Sequence, residues 1–143
     1  MKLPKEFEYY IKKGVVKKRT PDINRARDLI EEAERKLNSL NMNISKIGIL
    51  DENANDIIEF CYDIIIYLIR AKMFNEGFYS SGKGAHESEV SFLRKLTFSD
   101  NEISFINQLR YFRNGVMYYG KRFDKEYAEK VFRFLNKILG KLI

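Results

Sequence analysis

The amino-acid sequence predicts an all-α protein built as one helical bundle, and three observations carry that expectation. Both prolines, Pro4 and Pro21, fall within the first 21 residues, so no proline interrupts a helix in the 122 that follow. Seven of the eight glycines punctuate periodic segments, while Gly115 alone sits inside one. Between these breaks, apolar residues recur at spacings of three and four, the period of a helix face. With 143 residues and 45% hydrophobic side chains, the chain can build a single core but not comfortably two. A single domain over 1–143 is expected, its first 20 residues forming a basic N-terminal extension.

Taken in order, a short helix over residues 5–13 is expected from Phe7, Tyr10 and Ile11. A long helix opens at Thr20-Pro21-Asp22, with Thr20 as cap and proline at the first helical position. Its seam, Ile23, Ala26, Ile30, Ala33, Leu37 and Leu40, is one narrow stripe whose alanines admit a close neighbour. A third helix over 54–76 is apolar nearly all round, as the central element of a bundle must be. A strand also accounts for the run of residues 64–69, but the flanking helical spacing opposes it. After the Ser80-Ser81-Gly82-Lys83-Gly84 connection comes a shorter helix over 86–96. Ser99 and Glu102 have the spacing of a capping box opening a helix over 100–119, and a last helix over 124–139 follows Tyr127, Val131, Leu135 and Ile138.

Charge is unevenly placed. The chain carries 26 Lys and Arg against 20 Asp and Glu, a net +6, with +5 in residues 1–19, +6 in residues 110–143 and −5 between. Two basic ends that met in the fold would make a surface suited to phosphates; solvated helix faces are the plainer alternative. The 11 Phe and 9 Tyr supply large anchors for a core or for stacking. A single cysteine, Cys61, excludes an internal disulfide and fits a reduced, cytoplasmic compartment. No apolar run approaches the ~20 residues of a membrane span, and no signal-peptide core follows the charged N-terminus.

One His and one Cys cannot assemble the clusters of zinc or iron sites, so neither metal nor cofactor is expected. Gly82-Lys83-Gly84 precedes a helix and could offer N–H groups to an anion; lacking a preceding strand and the P-loop pattern, it reads first as a flexible connection. The informative stretch runs from Leu109 to Gly120. Ile106, Leu109, Arg113 and Met117 share one helix side, so Arg113 projects from an apolar arc and needs a partner. Arg110, Asn114 and Tyr118 follow at intervals of four along the adjoining face, a cation, an amide and a phenol in a row. Arg grips phosphate in a forked geometry, and Asn and Tyr add directional hydrogen bonds. Arg110, Arg113 and Asn114, assisted by Lys121 and Arg122, therefore make a candidate site for an anionic ligand. The alternative pairs Arg113 with a buried carboxylate such as Asp63 and lets Gly115 bring two helices into contact, or break one locally.

Arg113-Asn114, followed after three residues by the Tyr118 hydroxyl on the penultimate helix of a small bundle, resembles the signature of the HEPN superfamily, the higher eukaryote and prokaryote nucleotide-binding domains. Ile69-Arg70-Ala71-Lys72, Gly77-Phe78, Gly84-Ala85-His86-Glu87 and Val90-Ser91-Phe92-Leu93 are similar to the middle helices of prokaryotic members, so the resemblance spans residues 54–135. It implies a bundle of four to five main helices that dimerises so that two Arg motifs face a shared cleft holding RNA or a nucleotide. Active members are metal-independent endoribonucleases, often of toxin–antitoxin or defence modules, in which Arg holds the scissile phosphate and a His assists proton transfer. By that resemblance Arg113, Asn114 and Tyr118 occupy the catalytic positions. Tyr118 stands where the family has its His, and a phenol is a poor base at neutral pH, so weak or absent ribonuclease activity is expected. His86, the only imidazole, either caps or packs near a helix start or reaches the cleft as a catalytic group. Some family members are modified by a nucleotidyltransferase partner on a Tyr near the motif, a place held here by Tyr118 and Tyr119.

Overall fold

The computed structural model describes residues 3–143; the side chains of Val116, Met117 and Tyr118 are outside the described set. Six α-helices and one two-stranded ribbon make up the described residues: α1 (Phe7–Lys12), β1 (Val16–Lys18), α2 (Ile23–Ile47), α3 (Ala54–Asn75), β2 (Phe78–Ser80), α4 (Ala85–Phe92), α5 (Asp100–Tyr119) and α6 (Lys125–Leu142). A single 3-10 turn, Leu93–Lys95, continues α4, so the helix expected over 86–96 is an eight-residue helix that tightens at its end. The all-α bundle stands.

α3 is the axis. Ile58, Cys61, Ile64, Ile65, Leu68 and Ile69 are all buried, and α2, α4, α5 and α6 pack around it. The run of residues 64–69 is helical, as the flanking period required. Burial pushes the Cys61 thiol up to about 12, so it is a protonated core residue. On α2 the stripe Ala26, Ala33, Leu40 is buried at seven-residue intervals against α3, but Ile23 is exposed, so the seam starts one turn later than its spacing predicts. The cap of α2 also differs from expectation. Asp22, not Thr20, accepts a hydrogen bond from the Arg25 N–H (3.0 Å), which puts Pro21 before the cap instead of inside the first turn.

The capping box of α5 forms as its spacing requires: the Ser99 N–H donates to Glu102 Oε1 (2.9 Å) and the Glu102 N–H to Ser99 Oγ (3.2 Å). Lys141 at the end of α6 donates to the same carboxylate (2.8 Å), fastening the last helix to the start of α5. Asp124 caps α6, which runs one turn past its expected end.

The ribbon lies outside the sequence expectation. Val16 pairs with Ser80, Lys17 with Tyr79 and Lys18 with Phe78, antiparallel. The Arg19 N–H donates to the Gly77 carbonyl (2.7 Å) and the Ser81 N–H to that of Val15 (3.0 Å). Gly77 is required there: its φ is +81°, and a Cβ would stand 2.1 Å from the Arg19 carbonyl oxygen. Phe7, Phe78 and Phe92 then close an edge-on aromatic cluster, with centroids 5.1–6.0 Å apart, between α1, β2 and α4. The N-terminal segment is thus docked in the core through Phe7, Tyr10 and Val16.

Candidate functional site

Ile106 and Leu109, fully buried, fix the rotation of α5 about its axis. One turn further on, Arg110, Arg113 and Asn114 emerge opposite the start of α4. Together with Tyr62 of α3 and residues 82–87 they line a cleft of about 370 Å³. The cleft therefore joins two places that lie about 30 residues apart in sequence, the Arg motif and the Gly82-Lys83-Gly84 connection.

Each cation is positioned by its own contacts. Arg110 Nε donates to Oδ1 of the buried Asn107 (3.0 Å), and its guanidinium lies 4.4 Å from the Tyr111 ring centroid. Arg113 Nε is 3.4 Å from Asp63 Oδ1, the pairing that the apolar arc demanded. That pairing leaves the Arg113 side chain 31% exposed, so it is anchored without being sealed off. Lys36 shares Asp63 from α2 at 3.9 Å.

On the α4 side, Gly84 is a left-handed cap with φ +89° and supplies no side chain to the helix N-terminus. Just before this connection, the Ser81 N–H donates to the Val15 carbonyl at the start of the ribbon. The first-turn N–H groups of α4 and the Lys83 side chain border the same cleft. Glu87 is the one carboxylate in the lining, against Lys83, Arg110 and Arg113. The N-terminal basic segment comes near through Tyr10, whose hydroxyl accepts from the Lys5 N–H (3.1 Å) and feels both Glu87 and Arg110. Burial is the main reason that phenol is pushed up to about 12.

His86 lies in the same cleft as Arg113. Its Nδ1 is 3.3 Å from Glu89 Oε1 and 3.3 Å from Arg70 Nη2. Glu89 is only 1% exposed, yet it is fully engaged: Arg70 donates from Nε and Nη2, Ser80 Oγ donates at 3.2 Å, and His86 faces its other oxygen. Burial pushes the Glu89 carboxyl up, but hydrogen bonds from His86 and Arg70 outweigh it and hold the group below the ordinary carboxylate range. This ion pair ties α3, β2 and α4 together beside the cleft, with which it shares His86.

The remaining candidates lie elsewhere. Arg122 lines a separate cavity with Asp51, Glu52 and Asp124. Lys121 folds back over Gly115, its N–H donating to the Gly115 carbonyl at 3.3 Å. α5 runs unbroken through Gly115, and among the described residues a Cβ there would meet only the Lys121 side chain at 3.5 Å, so neither a contact with a described helix nor a break explains the glycine. Tyr119 is 85% exposed, and the Tyr118 side chain is outside the described residues. Tyr62 and Glu89 had no sequence signal as site residues, because a tyrosine in the most apolar helix looks like core and a glutamate on a short helix looks solvated. Among the described residues, no cluster of three His, Cys, Asp or Glu side chains could hold a metal, and no helix is long and apolar enough to cross a membrane. A scan against protein-family models finds no match, and searches of curated proteins and of solved structures find none either.

Proposed function

We propose that the chain is a HEPN-like RNA- or nucleotide-binding protein of a toxin–antitoxin or defence-type module, acting in the cytoplasm as a homodimer. Arg110, Arg113 and Asn114 hold a phosphate of the ligand. The observation that supports this most is the convergence of those three side chains with Lys83 and the uncapped start of α4 on one small cleft. Guanidinium forks, an ammonium and backbone N–H groups share one preference, for phosphate oxygens. Tyr119, exposed two residues before Lys121, is open to a nucleotidyltransferase partner.

The test is a titration of labelled single-stranded RNA with the parent protein and with Arg113→Ala. One neutralised phosphate gives a salt slope of about −0.7, so raising salt from about 50 to about 200 mM weakens binding about 2.6-fold. Folded Arg113→Ala protein that binds as the parent does would leave the Arg113–Asp63 pair a purely structural contact, and the chain a protein-interaction module.

A second reading, a metal-independent endoribonuclease, is favoured by the position of His86 in the cleft. With Nδ1 engaged by Glu89, the other ring nitrogen is the one left for proton transfer. The 2′-hydroxyl would lose its proton as its oxygen attacks phosphorus, and the 5′-oxygen would leave with a proton, giving a cyclic phosphate and a free hydroxyl. One imidazole per chain supplies only one of these two proton transfers, so the reaction would need the second copy of a dimer. RNA cleavage in EDTA that disappears in His86→Ala selects this reading, and no cleavage by the parent selects binding alone.

A further inference from the structure

Tyr62 is the odd member of the core. It sits in the middle of α3 and is 3% exposed, and its hydroxyl has no hydrogen-bond partner among the described residues. An unsatisfied buried hydroxyl costs about 1–3 kcal/mol, and the position would be occupied without that cost by phenylalanine. The side chain is one of those lining the cleft, with the start of α4 and with Arg110 and Arg113, and its phenol is close enough to both arginines to feel their charge. Its surroundings keep it a donor. Burial pushes the phenol well up, Glu89 pushes it further, and Arg110, Arg113 and Arg70 only partly oppose them. Across the cleft, α4 leaves the His86 and Glu87 N–H groups without an intrahelical acceptor, and Gly84 offers no side chain to take them.

We propose that this cleft is the seat of a terminal phosphate, a phosphomonoester end of a nucleotide, with Tyr62 Oη, the first-turn N–H groups of α4 and Lys83 donating to its oxygens. The inference rests on the phosphate-binding reading above and deepens it by naming the chemical class of the ligand. Depth and charge both select an end group over an internal linkage. A hydroxyl this buried can be reached only by an oxygen that projects inward, and a terminal phosphate projects three. A diester phosphate has two free oxygens and a chain leaving on both sides. A terminal phosphate also carries about −1.5 to −2 charges near pH 7 against the −1 of a diester, and it meets Lys83, Arg110 and Arg113 together. The volume of about 370 Å³ lies at the small end of ligand pockets and takes one nucleotide unit, not a strand.

Calorimetric titration with adenosine, adenosine 5′-monophosphate, inorganic phosphate and the dinucleoside monophosphate ApA tests the seat. The monophosphate should bind at least about tenfold more tightly than adenosine, the difference being its charge-assisted hydrogen bonds. It should also bind more tightly than ApA. Inorganic phosphate competing equally well would show that the phosphate alone, without the nucleoside, fills the seat, and would overturn the nucleotide assignment. Tyr62→Phe should weaken the monophosphate about 3–10-fold while leaving the unfolding temperature unchanged or raised, because it removes a hydroxyl that has no partner among the described residues of the free protein. Lys83→Ala, on the connection before α4, should weaken it as well. Tyr62→Phe that binds the monophosphate as the parent does, or that loses stability as a broken hydrogen bond would, overturns the seat. If Arg113→Ala then still loses affinity, the cleft reading survives without it. A parent protein that binds none of the phosphate-bearing compounds overturns both.

Discussion

Replacing Arg70 with methionine should unfold the protein far more readily at neutral pH than in mild acid, and the reason lies in the burial of its partner. Glu89 is 1% exposed and takes two of its hydrogen bonds from the Arg70 guanidinium. Arg70→Met keeps the aliphatic volume but leaves a buried carboxylate with only Ser80 and His86 to support it. Removing one member of a buried pair costs about 3–5 kcal/mol. For a chain of 143 residues that corresponds to a fall of about 10–17 °C in unfolding temperature. The pH dependence follows from the direction of the Glu89 shift. In the parent the carboxyl is held below its unfolded value, so its contribution is present above the ordinary carboxylate pKa and is lost as pH falls through the lowered one. In Arg70→Met, burial dominates and the carboxyl rises above its unfolded value. The variant's deficit then shrinks as pH falls and the group takes up a proton. Urea unfolding at about pH 7.5 and about pH 5, with Arg70→Met/Glu89→Gln alongside, reads both effects. The double variant should recover at least half of the loss. A single-variant cost below about 0.5 kcal/mol, or a cost equal at the two pH values, would refute the argument.

Gly115→Ala should stabilise the protein by up to about 1 kcal/mol, since α5 is continuous there and among the described residues the new Cβ meets only the movable Lys121 side chain at 3.5 Å; thermal unfolding measures it. Gly77→Ala should do the opposite, because the residue lies at φ +81° with the Arg19 carbonyl 2.1 Å from the Cβ position. Amide hydrogen exchange should show protection lost at Val16–Lys18 and Phe78–Ser80 while α3 keeps its own. Light scattering at micromolar concentration should return about twice 17.0 kDa, and a strictly monomeric mass would remove the shared-cleft dimer.

The bundle was legible in the sequence because its signals are local and redundant. The all-apolar α3 and the Ser99–Glu102 box each lie within one stretch of chain, and each takes the expected form. The ribbon was not legible. Its strands are three residues long and pair Val16 with Ser80, a register that no nearby residue announces. The cap of α2 moved from Thr20 to Asp22 because Asp22 is also fastened to α3, its N–H donating to the Phe74 carbonyl at 2.9 Å. The Ile23–Leu40 seam, whose alanines admit a close neighbour, is filled from Ala26 onward by α3 of the same chain. At the candidate site, the Arg motif announces itself through a cation on an apolar arc, and its Asp63 partner was nameable because a guanidinium projecting from such an arc needs one. His86 could be placed in the same cleft as Arg113 only by folding, since that depends on how α4 docks against α5. Glu89 and Tyr62 are further out of reach, because their roles come from burial, which helical spacing does not reveal for a single polar residue.

The claim that the Arg110–Arg113 cleft is the phosphate site is tested most directly by watching its own groups. In a nuclear magnetic resonance titration of the labelled protein with a short 5′-phosphorylated single-stranded RNA, the guanidinium signals of Arg110 and Arg113 and the backbone amides of His86 and Glu87 should shift together and saturate together. Saturable shifts confined to Arg122 and its cavity, or to the Lys130, Arg133 and Lys137 face of α6, with the Arg110 and Arg113 signals unmoved, would contradict it.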